Sequence, residues 1–140
     1  MMRSFSLFFP VVPVAKERPR YTKSGISYTP TKTKNYERQI KKIYQTNPKS
    51  IKFEEKVPLE VNLEFGMPIP KSTSKKKRLS MIAGEINHTK TPDIDNLIKA
   101  VFDGLSKSAW ADDSQIVRVS AKKKYAKEPY VYLYVHEYMD

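Results

Sequence analysis

Five of the six aspartates, Asp93, Asp95, Asp103, Asp112 and Asp113, fall within one stretch of 21 residues, while the glutamates are scattered. Hard divalent cations such as Mg²⁺ take oxygen ligands, typically one or two carboxylates completed by water and a substrate phosphate. The chain around this cluster is strongly basic, with 26 Lys and Arg against 15 Asp and Glu and a formal charge of +11. Such an excess favours a polyanionic partner through counterion release and carries no base-sequence information. Lysines draw nucleic acid in, whereas carboxylates repel its phosphates unless a cation lies between them. That pairing is what a metal-dependent nuclease requires. The plain alternative is a lysine-rich surface that only keeps the chain in solution.

Spacing within the cluster limits how the carboxylates can meet. Asp93 and Asp95 are two apart, so inside a helix they would point about 200° away from each other. In extended backbone they would share a side. Both can face one cation if the chain is still extended at Asp93 and the helix begins near Asp95. A helix N-terminus also favours anions and phosphate nearby. The competing reading makes them N-cap residues and nothing more. Asp112 and Asp113 stand where the next strand is expected, and successive strand residues face opposite ways. Asp113 shares parity with Val117, Val119 and Ala121, which favours it as the inward carboxylate. A turn carrying two solvated acids is the alternative. Lys99, one turn after Asp95, either stabilises charge developing on a phosphate or is a surface salt-bridge partner.

Other chemistries find little support. There is no cysteine and only two histidines, His88 and His136, which excludes disulfides and thiolate metal sites and argues against a histidine-built zinc site. The four glycines are dispersed, so no phosphate-cradling loop forms. An EF-hand starting at Asp93 would put Ile98 at the glycine position and Gly104 at the glutamate position. No apolar run approaches the roughly 18 residues of a membrane span. The aromatic start reads as a strand, not a signal peptide. A cytoplasmic protein of one domain, 1–140, with no membrane partner is the expectation.

The elements that must position the acids can be read from periodicity. Arg3 to Phe9 reads as a strand, followed by a Pro-punctuated basic segment with a turn at Gly25. Thr31 to Tyr44 reads as a helix with Tyr36, Ile40, Ile43 and Tyr44 as its apolar stripe, ended by Asn47-Pro48. Leu59 to Phe65 alternates as a half-buried strand does. Lys71 to Arg78 is a loop or short helix. Ile94, Leu97, Ile98, Val101, Phe102 and Leu105 mark one face of the best-defined helix, with Thr91-Pro92 and acids at its start. Asp95, Lys99 and Asp103 lie four apart on its polar side. Ile116 to Tyr125 and Tyr130 to Tyr138 read as two strands joined at Glu128-Pro129. Helices mixed with antiparallel-type strands predict an α+β domain.

The run from Thr91 to Leu105 (TPDIDNLIKAVFDGL), followed by Trp110 to Ile116 (WADDSQI), resembles the signature of the RusA family of Holliday-junction resolvases. That family shows Asp-x-Asp-Asn-Leu, a lysine one turn on, Phe-Asp-(Ala/Gly)-Leu, then Trp-x-Asp-Asp-x-Gln before a strand. Weaker likeness extends to the basic segment from Arg18 to Glu37. Two departures stand out: the connection from Asp103 to Trp110 is about one residue shorter, and His88-Thr89-Lys90-Thr91 replaces an arginine run.

The resemblance implies that Asp93, Asp95 and Asp113 are metal-binding catalytic carboxylates and that Lys99 matches the family's essential lysine. It further implies a RusA-like α+β fold with a small mixed sheet and two main helices, homodimeric and dependent on Mg²⁺ or Mn²⁺. Its substrate would be a four-way DNA junction, nicked symmetrically to leave 5′-phosphate and 3′-hydroxyl ends. Lys16, Arg18, Arg20 and the segment holding Lys75, Lys76 and Lys77 are candidates for contacts to the DNA backbone, where contacts position without reading sequence. Trp110 and the tyrosines from Tyr130 to Tyr138 would either stack on unpaired bases or pack in a core or interface. Two other readings remain: a nuclease for other branched DNA, and a non-catalytic nucleic-acid-binding protein whose acids only cap a helix.

Overall fold

Alternation of apolar and polar residues builds most of the sheet. In β1 (Ser4–Phe9) every second residue is buried, and in β4 (Leu59–Met67) Leu59, Val61, Leu63 and Phe65 are. In β6 (Tyr130–Glu137) Val131, Leu133 and Val135 are fully buried, while Tyr132 and Tyr134 face outward. These strands and β5 (Ile116–Tyr125) form a four-stranded sheet in the order β1-β6-β4-β5. The β1–β6 and β4–β6 pairs are antiparallel, and β4–β5 is parallel. The sheet is therefore mixed. These features come from a computed structural model that describes residues 2–28 and 30–139.

The chain divides into two compact units. The first comprises Met1–Pro13, Pro58–Thr91 and Ile116–Asp140 and contains the sheet together with α2 (Lys75–Ile82). Ser74 starts α2, its hydroxyl accepting from the Lys77 N–H at 3.2 Å. Met81 holds the helix down by packing with Ile69, Tyr125 and Ile86. This anchoring makes a helix of a segment whose lysine-rich sequence left loop and helix equally open. The resemblance implied two main helices; the described residues contain three.

The second unit comprises Val14–Val57 and Pro92–Gln115. It opens with a two-stranded hairpin, β2 (Arg20–Tyr21) and β3 (Ser27–Tyr28). Gly25 turns this hairpin at φ +84°, a left-handed conformation that costs glycine little. Next comes α1 (Thr31–Thr46), which buries Thr33, Tyr36, Ile40 and Tyr44 and stops where Asn47 turns extended. The final helix, α3 (Ile94–Leu105), buries Leu97, Ala100, Val101, Gly104 and Leu105. A Cβ on Gly104 would lie 3.0 Å from the Ile40 side chain and 3.2 Å from the Glu37 carbonyl. The absence of a side chain there lets α1 and α3 approach closely.

No helix among the described residues is long and apolar enough to cross a membrane.

Candidate active site

Every acid of the cluster belongs to the second unit, at the N-cap of α3, on α3 or on the loop that follows it. Asp93 occupies the N-cap position of α3 with extended backbone, φ −69° and ψ 144°, and its side chain makes no capping hydrogen bond. The helix begins at Ile94, so the change from extended to helical backbone falls between the two acids. Asp95 sits in the first turn, where the helix dipole favours a negative charge. Its Oδ1 accepts from the Asn96 N–H at 3.0 Å. Both carboxylates are exposed.

Lys99 lies one turn after Asp95, yet it pairs in the other direction, with Asp103 at 3.1 Å. Asp103 also receives Lys16 at 3.0 Å, and Lys16 in turn holds Glu37 at 2.9 Å. The result is a neutral chain of four charges, Glu37–Lys16–Asp103–Lys99. Burial draws the Lys16 pKa down, but the hydrogen bonds and charges of Glu37 and Asp103 more than offset this and leave it above the ordinary lysine value. Two carboxylates thus engage the ammonium of Lys16, whereas Arg18 and Arg20 are exposed, the latter beside Glu17 at 3.4 Å. Lys75, Lys76 and Lys77 are exposed on the first turn of α2, in the other unit.

The loop after α3 is tight. Lys107 takes φ +74°, its N–H donates to the Trp110 carbonyl at 2.7 Å, and its ammonium reaches the Ala111 carbonyl at 2.8 Å. Trp110 is fully buried, edge-on to Phe102, and its indole N–H donates to Asp113 Oδ1 at 2.7 Å. Asp113 begins a 3-10 turn, Asp113–Gln115. Asp112 turns back on the chain instead, its Oδ1 accepting from the Ser114 N–H at 2.8 Å. That hydrogen bond holds the Asp112 carboxyl below the usual carboxylate range.

Strand parity is therefore the wrong guide to these two acids. Asp112 precedes a 3-10 turn and Asp113 begins it, ahead of β5, and Val117 and Val119 are 55% and 42% exposed on a strand at the sheet edge. The two carboxylates are distinguished by local hydrogen bonding: Asp112 is used by its own turn, and Asp113 is anchored by a buried tryptophan. Trp110 itself packs in the core, and Tyr132 and Tyr134 lie about two-fifths exposed on the outer face of the sheet.

Gln115, the glutamine that closes the Trp-x-Asp-Asp-x-Gln run, has a role that motif position alone does not reveal. It is 7% exposed and uses every hydrogen-bonding position of its amide. Its Oε1 accepts from the N–H groups of Ala111 and Asp112 at 3.0 and 3.1 Å. Its Nε2 donates to the carbonyls of Glu54 and Val57 at 2.8 and 3.1 Å. A glutamine at the end of an acidic turn, just before a strand, was the available signal. Its burial depends on residues about sixty positions away.

Among the described residues, no three Asp, Glu, His or Cys side chains are already grouped as a cation site. Nor does any described Lys or Arg pair with Asp93, Asp95 or Asp113. Three carboxylates without basic partners, in a chain of +11, offer the hard oxygen donors that a divalent cation takes. The donor set fits such an ion.

A family model described as Endodeoxyribonuclease RusA matches residues 10–136, across both units. This chain belongs to the RusA family. A similar protein, "Uncharacterized protein YqaN" of Bacillus subtilis (strain 168), is 33% identical over 129 residues, covering 89% of this chain and 90% of its own length. The RusA family comprises Holliday-junction nucleases of DNA recombination and repair, and it generally uses a divalent metal. Membership accounts for an acidic cluster embedded in a basic chain. In this RusA-family chain the segment His88 to Thr91 replaces the expected arginines. His88 packs against Tyr125 with ring centroids 4.8 Å apart, and Lys123 donates to the Lys90 carbonyl at 2.6 Å.

Proposed function

We propose that this RusA-family chain is a Mg²⁺- or Mn²⁺-dependent endodeoxyribonuclease that resolves four-way DNA junctions. The observation that carries this reading is the set of three carboxylates, Asp93, Asp95 and Asp113, without a basic partner among the described residues of a strongly basic chain. These three residues would hold the cation. When bound, the ion supplies activation of a water for in-line attack and neutralisation of the leaving oxygen.

The chain's own groups do the rest. Trp110 fixes the orientation of Asp113 through its indole N–H. Asp103 restrains Lys99, whose ammonium would stabilise charge building on the scissile phosphate. Arg18, Arg20 and Lys75 to Lys77 would contact the DNA backbone. Lys75 to Lys77 oppose the dipole at the start of α2, where no acid offsets them, and a phosphate would relieve that repulsion. The two units act as one RusA-like domain. Two copies related by a two-fold axis would each present one site, giving paired nicks with 5′-phosphate and 3′-hydroxyl ends.

Digestion of a four-way junction, a fork and a linear duplex side by side, with and without Mg²⁺, tests the reading. Symmetric nicks are expected in the junction only, and only with metal. Cleavage that persists in EDTA would end the metal assignment. Equal cutting of the fork would move the substrate to branched DNA in general.

Trp110→Phe probes the anchoring of Asp113. The variant keeps a ring against Phe102 and loses the indole N–H. Loss of an outer partner of a metal ligand typically costs about 10–100-fold in metal affinity or activity. The Mg²⁺ concentration for half-maximal cleavage should rise about tenfold or more, with rate recovered at saturating metal. An unchanged Mg²⁺ dependence would show that Asp113 needs no such anchor.

A further inference from the structure

α1 carries five cations, Lys32, Lys34, Arg38, Lys41 and Lys42, against a single acid, Glu37. Its buried residues, Thr33, Tyr36, Ile40 and Tyr44, define one face. At 100° per residue, Lys34, Arg38 and Lys41 fall within an arc of about 60° on the solvent-facing flank of the helix, centred roughly 120° from the middle of the buried face. All three are exposed. None has an ion-pair partner among the described residues. Like charges three and four residues apart work against a helix, so the row is unfavourable for α1 taken alone.

The row borders a groove of about 300 Å³ lined by Lys34, Glu37, Arg38, Lys41, Asp103 and Gly104. Two of those residues are acids that would ordinarily turn a phosphate away. Here Lys16 pairs with both, and Lys99 adds a second cation to Asp103. Within that chain the charges cancel, which leaves the three α1 cations as the uncompensated charge of the groove.

We infer that the outer face of α1 is a seat for the DNA phosphodiester backbone, with Lys34, Arg38 and Lys41 each contacting a phosphate. The row runs from Lys34 to Lys41, eight residues separated by seven rises, about 10 Å of helix axis. Duplex DNA presents one phosphate per roughly 3.4 Å of axis on each strand, and the winding of the backbone sets neighbouring phosphates farther apart than that rise, a separation that three long side chains fanning out from the row can follow. The face belongs to the same unit as Asp93, Asp95 and Asp113. Phosphates held here would give the strand a fixed reference on that unit, setting its position without reading bases. The assignment rests on the nuclease reading and adds a contact surface to it.

Salt dependence tests the seat directly, because each phosphate contact contributes about 0.9 to the slope of log affinity against log salt. Binding of a four-way junction is measured in EDTA over a series of KCl concentrations for the wild type and for the triple variant Lys34→Gln, Arg38→Gln, Lys41→Gln. The magnitude of this negative slope should fall by about 2.7 in the triple variant. The single variant Arg38→Gln should lower it by about 0.9 and covers any loss of folding in the triple. A charge-matched control, Lys32→Gln, Lys49→Gln, Lys127→Gln, should leave the slope near that of the wild type. If the wild type binds and Arg38→Gln leaves its slope unchanged, the seat is disproved while the nuclease reading stands. Equal losses in the triple variant and the control disprove it too, since net charge alone would then explain the effect. A wild-type chain that binds no DNA overturns both readings.

Discussion

Asp95→Asn should cut junction cleavage by roughly a thousandfold while junction binding survives. The substitution preserves shape, and the amide oxygen can still accept from the Asn96 N–H, so the first turn of α3 is kept. What it removes is one negative charge from a carboxylate without a basic partner among the described residues. Losing a single electrostatic element of a hydrolytic site typically costs about 10²–10³ in rate. A ligand to the cation belongs at the upper end of that range, about 4 kcal/mol of barrier. The sign of the binding effect is equally diagnostic. Without metal, each carboxylate near the DNA repels phosphate, so the variant should bind the junction in EDTA at least as tightly as the wild type. Gel-shift and single-turnover cleavage on the same junction measure the two quantities. Near-normal cleavage by Asp95→Asn would remove this residue from the site, and loss of binding together with cleavage would point to a structural role.

Replacing Gln115 by Met should cost about 3 kcal/mol of stability and lower cleavage even well below the melting temperature. Met has similar length and no amide. Four hydrogen bonds disappear together, stranding the N–H groups of Ala111 and Asp112 and the carbonyl of Val57, and leaving the Glu54 carbonyl with the Val57 N–H at 3.4 Å. Each stranded buried group costs roughly 1–3 kcal/mol, but Asp112 and Glu54 are exposed enough for water to replace part of the loss. For a chain of this length the expected destabilisation lowers the melting temperature by about 10 °C. The functional loss has a separate cause: Gln115 closes the turn that presents Asp113. A thermal melt and an activity assay at low temperature separate the two effects. A melt within a degree or two of the wild type would show that the turn stands without its glutamine.

Much of the architecture was legible because it depends on short-range patterns. The helical face from Ile94 to Leu105 and the alternations in β1, β4 and β6 each follow from burying one side of a regular element. The turn at Gly25 and the stop at Asn47 follow from local backbone preferences. The break in backbone between Asp93 and Asp95 was readable for the same reason: Thr91-Pro92 marks a helix start. α2 was not settled by its sequence, since lysines exclude neither helix nor loop and the decision came from Met81 finding Ile69 and Tyr125. Parity failed at Asp112 and Asp113 because a period of two holds only inside a strand, and their turn obeys hydrogen bonds to Trp110 and Ser114 instead.

Charge follows the same division. The sequence alone determined that acids concentrate in one stretch of a basic chain, and with it the kind of chemistry and the RusA resemblance, because composition and motif spacing are one-dimensional properties. Which charges cancel is a matter of distance. Lys16, read as a DNA contact, lies against Glu37 and Asp103, residues 21 and 87 positions away. Lys99 turns to Asp103 and leaves Asp95 open. Only the tertiary structure could decide these pairings, since ion pairs form between groups within a few ångströms in space and sequence separation does not report that distance.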